Sequence, residues 1–347
     1  MKPAECLEGL HLDGGWYVRS IRHRLPHATG GHFSVGYDVV RDDGREAYLK
    51  ALDFSSALQT PDATRELEAM TAAYNFEKTV LERCRVRNMR RVVTPIADGS
   101  VDAPGGFGQL ERVFYLIFES ATGTVRDHIA EWQQFDLAWS LRSLHHTATG
   151  LWQLHSAEIA HQDLKPSNVL IFPEDGSKVA DLGRAASVQY RSQVDDFQVP
   201  GAVSYAPPEQ GYGWRASDSF SVRYMADLYL LGSLVFFYFL QVSATQAMRL
   251  KMSQKHMKDF TGSDFIADLP YIQHAFGEAL ADFRATVEGI AGGMTDELVM
   301  IARQLCEPDP RRRGDTKPPE SKVPRHDLQP YVSRFDRLAH RAEGTII

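Results

Sequence analysis

The chain has few cysteines, and the three it has, Cys6, Cys84 and Cys306, form neither a C-x-x-C pair nor a disulfide framework. Folding without disulfides is typical of a reducing compartment, so we expect a cytoplasmic location. The first residues, MKPAECLEGLHLDGG, carry acids and glycines where a signal peptide needs an apolar stretch, which supports the same expectation.

An excess of positive charge is also lacking, since the formal net charge is -7. Because phosphate backbones select basic surfaces, we expect no nucleic-acid partner. One basic run, RCRVRNMRR at residues 83–91, departs from this balance. We interpret it as a solvated helix end.

No apolar run has the length of an ordinary bilayer span, and the run LYLLGSLVFFYFL at residues 228–240 has the length of a buried core helix. We therefore expect no membrane partner. What is present is ordinary for a globular protein: 43% hydrophobic and 24% charged residues in a chain of 347. That length exceeds one small core and suits two unequal lobes.

The N-terminal part reads as strands followed by a helix. Residues 33–40 (FSVGYDVV) and 46–52 (EAYLKAL) flank Asp43-Gly44, a strong hairpin signal. Lys50 lies on the strand face of Tyr48 and Leu52.

A helix is predicted to start at Thr60-Pro61. Its apolar stripe contains Leu67, Met70, Tyr74, Leu81 and Cys84, with a gap at Glu77. A carboxylate within an apolar stripe needs a cation, because its desolvation is otherwise costly, and Lys50 is the obvious candidate. The alternative is that Glu77 lies at the stripe's edge and reaches solvent.

The segment HQDLKPSN at residues 161–168 combines a carboxylate (Asp163), an ammonium (Lys165) and a carboxamide (Asn168) in a loop stiffened by a proline. A second carboxylate, Asp181, follows in Asp181-Leu182-Gly183. The oxygens of Asn168 and Asp181 suit Mg²⁺, which is usually bound together with substrate phosphates. A carboxylate beside such a site can accept the proton of a hydroxyl group.

These segments resemble the eukaryotic-like (Hanks-type) Ser/Thr protein kinases, whose catalytic loop reads H-R-D-x-K-P-x-N and whose metal-binding triplet reads D-F-G. The resemblance covers roughly residues 16–314. It implies an α+β fold with a small β-rich N-lobe and a larger helical C-lobe. We place the N-lobe at residues 1–119, the C-lobe at 120–314 and a C-terminal tail at 315–347. It also implies ATP and Mg²⁺ as cofactors, and a protein substrate that could be the chain itself.

By the same resemblance, the catalytic residues are Asp163, the base, and Lys165, which contacts the transferring phosphoryl group. Mg²⁺ is assigned to Asn168 and Asp181. The nucleotide-binding residues are then Lys50, Glu77, Gly31 of the phosphate loop, and the hinge residues Glu119 and Ala121. Lys165 favours Ser or Thr over Tyr as the acceptor.

Three further segments match the family in order. GAVSYAPPE at residues 201–209 resembles G-T-x-x-Y-x-A-P-E, DLYLLG at 227–232 resembles the start of the central helix, and DPRRR at 309–313 resembles D-P-x-x-R. The family pattern pairs the arginine of the last motif, here Arg313, with the glutamate of A-P-E, here Glu209.

The sequence also departs from the family. TGGHFS at residues 29–34 stands where G-x-G-x-x-G is expected, and only Gly31 aligns with a family glycine. Gln162 replaces the arginine that commonly holds a phosphorylated activation loop, and Ala202 replaces the threonine of the G-T pair. Control by activation-loop phosphorylation is therefore not expected.

Three functions remain open from the sequence: an active Ser/Thr kinase, a pseudokinase that acts as a nucleotide-binding scaffold, and a small-molecule kinase of the aminoglycoside-phosphotransferase type. A pseudokinase usually lacks at least one catalytic group, and all are retained here. A small-molecule kinase would not be expected to have Lys165-Pro166, the segment ending at Glu209, or Arg313. The sequence favours the first.

Overall fold

A computed structural model describes residues 2–22, 34–55, 57, 60–108, 111–217, 219–252, 264–315 and 324–344. The chain divides into two compact units. The first contains residues 1–88, 93–123 and 171–174, and the second contains residues 89–92, 124–170 and 175–347. The first unit is rich in strands and the second is mainly helical, which confirms the predicted α+β fold class.

The first unit is built on a six-stranded sheet with the order β1-β2-β3-β4-β6-β5, in which neighbouring strands run antiparallel. The strands are β1 (His11–Leu12), β2 (Trp16–Arg22), β3 (Ser34–Arg41), β4 (Glu46–Leu52), β5 (Pro95–Asp102) and β6 (Arg112–Glu119). The predicted hairpin is confirmed, since β3 and β4 flank Asp43-Gly44 with Gly36 opposite Lys50. Gly44 has a φ of +85°, which a glycine adopts without strain.

One face of this sheet forms the core of the first unit. In β4 the residues that face this core are Ala47, Leu49 and Ala51, each at most 2% exposed. Strand alternation therefore places Lys50 on the opposite face, where it can contact other groups. The core face includes Trp16, Val18, Tyr37, Leu49, Val113, Tyr115 and Ile117.

Helix α1 (Ala63–Val86) belongs to the same unit. The predicted start at Thr60-Pro61 is wrong by two residues, because the side chain of Asp62 accepts a hydrogen bond from the Arg65 amide and caps the helix. Of the predicted apolar stripe, Met70, Tyr74, Leu81 and Cys84 are buried, and Leu67 is half-buried.

The second unit consists largely of helices. They are α2 (Val125–Ala130), α3 (Leu137–His155), α4 (Pro208–Gly211), α5 (Ser221–Leu240), α6 (Ala244–Lys251), α7 (Phe265–Ala291), α8 (Thr295–Leu305) and α9 (Gln329–Glu343). The short strands outside the six-stranded sheet are β7 (Gly123–Thr124), β8 (Ile159–Ala160), β9 (Val169–Phe172), β10 (Gly176–Val179) and β11 (Ala186–Ser187), of which β7 and β9 lie at the boundary between the two units in the chain.

Helix α5 is the centre of the second unit. Its length and apolar composition would allow it to cross a membrane, but 78% of its most apolar window is buried inside the protein. This confirms the prediction of a core helix for residues 228–240. Next to α5, the Ser143 hydroxyl of α3 lies 2.6 Å from the Tyr238 hydroxyl, so the two helices share a polar contact within an apolar interior.

Helix α9 lies within the segment assigned above to a C-terminal tail, and it packs along α3. Phe335 and Leu338 are fully buried. At the rim, the Arg142 guanidinium donates to Asp336 at 2.7 Å and to Glu343 at 2.8 Å. The C-terminal helix is thus an integral part of the second unit.

Candidate functional site

The predicted nucleotide-binding residues lie in the first unit, and two of them form an ion pair. The Lys50 ammonium donates to both carboxylate oxygens of Glu77, at 2.7 and 3.0 Å. The Glu77 side chain is only 9% exposed, so its charge needs this partner. The pairing predicted from the gap in the apolar stripe is confirmed, and the alternative of a solvent-facing Glu77 is wrong. The role of both residues toward ATP stays a prediction.

The remaining nucleotide-binding predictions concern the hinge and the phosphate loop. Glu119 is the last residue of β6 and lies opposite Ala47 of β4, and the half-buried Ala121 follows in the connecting segment. Gly31 lies outside the described residues, as do Thr29 to Phe33. The adenine contact assigned to Glu119 and Ala121 stays a prediction.

Asp163 lies in the second unit, at the centre of the loop formed by residues 161–168. One carboxylate oxygen accepts hydrogen bonds from the Lys165 ammonium at 2.7 Å and the Asn168 amide at 3.3 Å. The other accepts from the Ala202 main-chain amide at 2.7 Å. A carboxylate has about four acceptor positions, so these three donors orient it and leave one position for a further donor. Asp163 and Lys165 are both buried.

Asn168 is brought next to the segment that contains Asp181. Its main-chain carbonyl accepts from the Ala180 amide at 2.9 Å, and the His161 ring donates to the Ala180 carbonyl at 3.0 Å. Strands β8 and β11, which flank these two segments, pair antiparallel with Ala160 opposite Ala186. The sequence-predicted metal ligands Asn168 and Asp181 therefore lie on adjoining segments of one unit.

Two residues of the site have left-handed backbone conformations. Gln162 has a φ of 66° and Asp181 a φ of 64°. Such conformations cost non-glycine residues of the order of 1–3 kcal/mol and persist only where the surroundings enforce them. In Gln162 the enforcing contacts are visible: its main-chain amide donates to Asp227 at 2.8 Å and its side chain donates to the Arg223 carbonyl at 2.8 Å.

Asp227 of α5 is the anchor of this loop. Its carboxylate accepts from the main-chain amides of His161 and Gln162, from the Gln162 side chain, and from the His155 ring at 2.8 Å. Asp227 is completely buried, and burial alone would raise its pKa. The hydrogen bond and charge of His155 outweigh burial and hold the pKa below its usual value.

The motifs of the sequence do not predict the anchoring role of Asp227 and His155. The signal was a carboxylate directly before a fully apolar run, since a buried charge must have partners. Those partners lie far away in sequence, which is why the motif alone did not identify them.

The segment that begins at Gly201 packs closely on the loop. A Cβ atom at position 201 would lie 2.7 Å from the Asp163 carboxylate, so only glycine fits there. Further along, Arg313 donates to both oxygens of Glu209, at 2.7 and 2.8 Å, and is 0% exposed. Burial would lower the pKa of Arg313, but the Glu209 carboxylate outweighs it and raises that pKa. The predicted Glu209–Arg313 pair is confirmed.

A sheet unit with a Lys–Glu pair, and a helical unit with an anchored Asp-Lys-Asn loop, are the two parts of the protein-kinase fold. A family model, the protein kinase domain, matches residues 30–317. The chain belongs to the protein kinase family.

Several curated proteins are similar to this chain. An Aurora kinase of Debaryomyces hansenii is 22% identical over 238 residues, which covers 67% of this chain and 54% of that protein. The serine/threonine-protein kinase PknA of Mycobacterium tuberculosis is 28% identical over 61% of this chain and 45% of its own length. AfsK of Streptomyces coelicolor, also a serine/threonine-protein kinase, is 31% identical over 50% of this chain and 18% of its own length. The match thus spans about half the length of the Aurora kinase and of PknA, and about a fifth of the length of AfsK.

Proposed function

We propose that this protein transfers the γ-phosphate of ATP, with Mg²⁺, to a serine or threonine hydroxyl of a protein substrate, which could be the chain itself. One observation carries the proposal most directly. Three donors orient the Asp163 carboxylate, with one acceptor position left, and that position suits the hydroxyl group of an acceptor.

In this proposal Asp163 orients the acceptor hydroxyl and accepts its proton. Lys165 has three N–H donors, and Asp163 is its hydrogen-bond acceptor within the described part of the chain. Its other donors can therefore contact the transferring phosphoryl group, and its positive charge can stabilise the negative charge on the phosphoryl oxygens. Phosphoryl transfer depends mainly on such positioning and charge stabilisation.

The residues assigned to Mg²⁺ fit a magnesium ion. The Asn168 side-chain amide group donates to the Asp163 carbonyl at 2.9 Å, which directs the amide oxygen away from that contact and leaves it able to bind a cation. Among the described residues no group of three or more His, Cys, Asp and Glu side chains could hold a metal alone. Two oxygen ligands completed by nucleotide phosphates are the usual arrangement for Mg²⁺, which would neutralise the charge that develops on the phosphates.

The nucleotide itself would be held by the first unit. The Lys50 ammonium, fixed by Glu77, suits the phosphates, and the main chain at Glu119 and Ala121 suits the adenine. Serine or threonine as the acceptor is supported by Lys165, and by the names of PknA and AfsK, which are serine/threonine-protein kinases.

The test is an incubation of the purified protein with labelled ATP and Mg²⁺, with and without a generic acceptor protein, followed by phosphoamino-acid analysis. We expect phosphoserine or phosphothreonine on the protein or on the acceptor. Asp163→Ala should lower the transfer by about two orders of magnitude or more, as is typical when a positioned general base is lost. The control is Asp175→Ala, which should leave transfer unchanged. Asp175 lies directly before β10, and its exposed carboxylate pairs with Lys178.

Nucleotide binding is measured separately, by the melting temperature. ATP with Mg²⁺ should stabilise the wild type and Asp163→Ala alike, by about 2.7 kcal/mol at a hundredfold excess over the dissociation constant. Asp181→Asn should abolish the Mg²⁺-dependent part. Stabilisation together with background transfer by both wild type and Asp163→Ala would favour the pseudokinase. Transfer to an aminoglycoside but not to protein would favour the small-molecule kinase.

A further inference from the structure

Arg126 of α2 has an unusual environment for an arginine. Its guanidinium donates to the Tyr205 hydroxyl at 3.2 Å and lies 5.5 Å from the centre of the Phe237 ring. Its Nε atom is buried and has no hydrogen-bond partner in the described part of the chain. A buried N–H group without a partner costs about 1–3 kcal/mol, so the position is not explained by stability alone.

No carboxylate among the described residues lies within ion-pair distance of Arg126. Asp127, the next residue, accepts from the Thr124 hydroxyl at 2.7 Å and so caps its own helix. Asp163 accepts from Lys165, Asn168 and Ala202 and is not paired with Arg126. The positive charge of Arg126 therefore has no neutralising partner within the described part of this unit.

Arg126 also lies close to the residues assigned to the acceptor. Helix α2 packs against the turn Pro166–Asn168, which contains Asn168. The Tyr205 main-chain amide donates to the Ala202 carbonyl at 2.9 Å, and the Ala202 amide donates to Asp163. A peptide whose hydroxyl lies at Asp163 would therefore have its neighbouring residues near Arg126.

We propose that Arg126 determines acceptor specificity by selecting protein segments with an aspartate or glutamate close to the phosphorylated serine or threonine. The inference rests on the proposed function and adds the class of substrate. A carboxylate would accept from the N–H groups of the half-buried Arg126 that Tyr205 leaves unused, in the two-bond geometry that arginine favours. The Phe237 ring, which faces the guanidinium, and the Tyr205 hydroxyl, which accepts from it, would hold the guanidinium in place for this contact.

The competing explanation is that Arg126 serves only to pack α2 against Phe237 and Tyr205. In that case its loss would affect all acceptors equally. A specificity role requires instead that its loss affects acidic acceptors more than others, mainly through KM. The experiment is therefore a ratio between acceptors and not a single rate.

The test uses sets of serine peptides. Within a set the peptides differ at one position only, which carries Asp, Ala or Lys. The sets place that position anywhere from four residues before the serine to four residues after it. We expect wild type to prefer Asp over Lys by about tenfold in kcat/KM for at least one position. Arg126→Gln should reduce that ratio to about two or less and retain most of the rate on the Ala peptide. Arg126→Glu should reverse the ratio. Arg303→Gln, an exposed arginine of α8, should leave it unchanged.

Each failure is distinguishable. Transfer to peptides without an acidic preference, or a preference that survives Arg126→Gln, would overturn this inference and leave the proposed function intact. An equal loss on all peptides in folded Arg126→Gln would show a packing role and overturn it too. If Arg126→Gln does not fold, Arg126→Lys decides: a retained but weaker acidic preference supports the inference, and an unchanged one overturns it. Absence of any transfer by wild type, including to itself, would overturn the proposed function and this inference together.

Discussion

The two groups of candidate residues are held in different ways. In the first unit, Lys50 of β4 forms an ion pair with Glu77 of α1, with side chains 20% and 9% exposed. In the second unit, Asp163 accepts from Lys165, Asn168 and Ala202, and its loop is fixed further by the buried Asp227. The acceptor loop is thus oriented by a connected network of hydrogen bonds around two buried carboxylates, whereas Lys50 and Glu77 are oriented by direct contact between opposite charges.

This difference indicates where departures from the family pattern can be tolerated. Gln162 stands where the family commonly has arginine, and its side chain has been absorbed into the network by hydrogen bonds to Asp227 and to the Arg223 carbonyl. A network with several donors can accept such a change, since the other contacts still enforce the geometry. The geometry of the acceptor loop should therefore persist after most single substitutions around it and fail when its anchor, Asp227, is removed. The Lys50–Glu77 pair depends on opposite charges, so removing either charge should be felt directly.

The largest effect is expected from Lys50→Met. Without the ammonium, Glu77 keeps a buried charge with no partner and the ATP phosphates lose a cation, so kcat/KM should fall about a hundredfold or more. Glu77→Gln keeps the lysine and should cost less, about tenfold. Both are measured as initial rates of phosphate transfer at several ATP concentrations.

The matched control is Lys78→Met, one residue from Glu77. Lys78 pairs with Asp98 at the surface, where both side chains are over 40% exposed, and such pairs contribute about 0–1 kcal/mol. Its activity should equal that of wild type. If Glu77→Gln lowered activity as much as Lys50→Met, both substitutions would act by breaking the ion pair. A direct contact between Lys50 and ATP would then have no support.

Short-range patterns predicted much of this molecule. The β3–β4 hairpin, the apolar stripe of α1 and the loop 161–168 depend on neighbouring residues, so they could be predicted from the sequence. The Lys50–Glu77 pair could be inferred because a charge in an apolar stripe requires a partner.

What could not be predicted depends on contacts between distant segments. The N-cap of α1 is Asp62 and not Thr60, whose hydroxyl instead donates to the Ala57 carbonyl at 2.7 Å. The packing of α9 on α3 joins Arg142 to Glu343, and no local pattern specifies that pairing. The buried Nε of Arg126, which has no hydrogen-bond partner among the described residues, likewise becomes visible only when its surroundings are known.

An intermediate effect is expected from Asp227→Asn, which tests whether the anchor holds the acceptor loop. An asparagine would direct an NH₂ group at one of the donors that now contact the carboxylate, so a buried donor would lose its acceptor. We expect the free energy of unfolding to fall by about 3 kcal/mol, with a parallel loss of transfer. The measurement is urea unfolding, with Asp282→Asn on the exposed surface of α7 as a control expected to change stability by less than about 0.5 kcal/mol.

An Asp227→Asn protein with wild-type stability and activity would contradict the view that the acceptor loop depends on this anchor. Loss of activity with unchanged stability would mean instead that Asp227 tunes the loop without supporting the fold. Either result would weaken the view that a hydrogen-bond network centred on Asp227 holds the acceptor loop.

The smallest effect concerns phosphorylation of the activation segment, residues 181–209. Gln162 has no charge to hold a phosphate, and Arg223 already pairs with Asp195 of the segment at 3.1 Å and donates to its carbonyl at 3.0 Å. A carboxylate thus already provides the contact that a phosphate would make, so a phosphate adds little. Phosphatase treatment should change the transfer rate by less than about threefold. Alanine at Ser187, Ser192 or Ser204 should also have modest effects.

The Arg223–Asp195 pair can be compared directly with phosphorylation as the interaction that orders the activation segment. Arg223→Gln should lower transfer more than phosphatase treatment does, by about tenfold, because the segment loses a half-buried ion pair whose side chains are 14% and 22% exposed. Arg191→Gln is the matched control, since its pair with Asp196 in the same segment is over 75% exposed on both sides and should contribute nothing measurable. A large loss of activity on dephosphorylation, with Arg223→Gln close to wild type, would show that a phosphate and not Asp195 orders this segment.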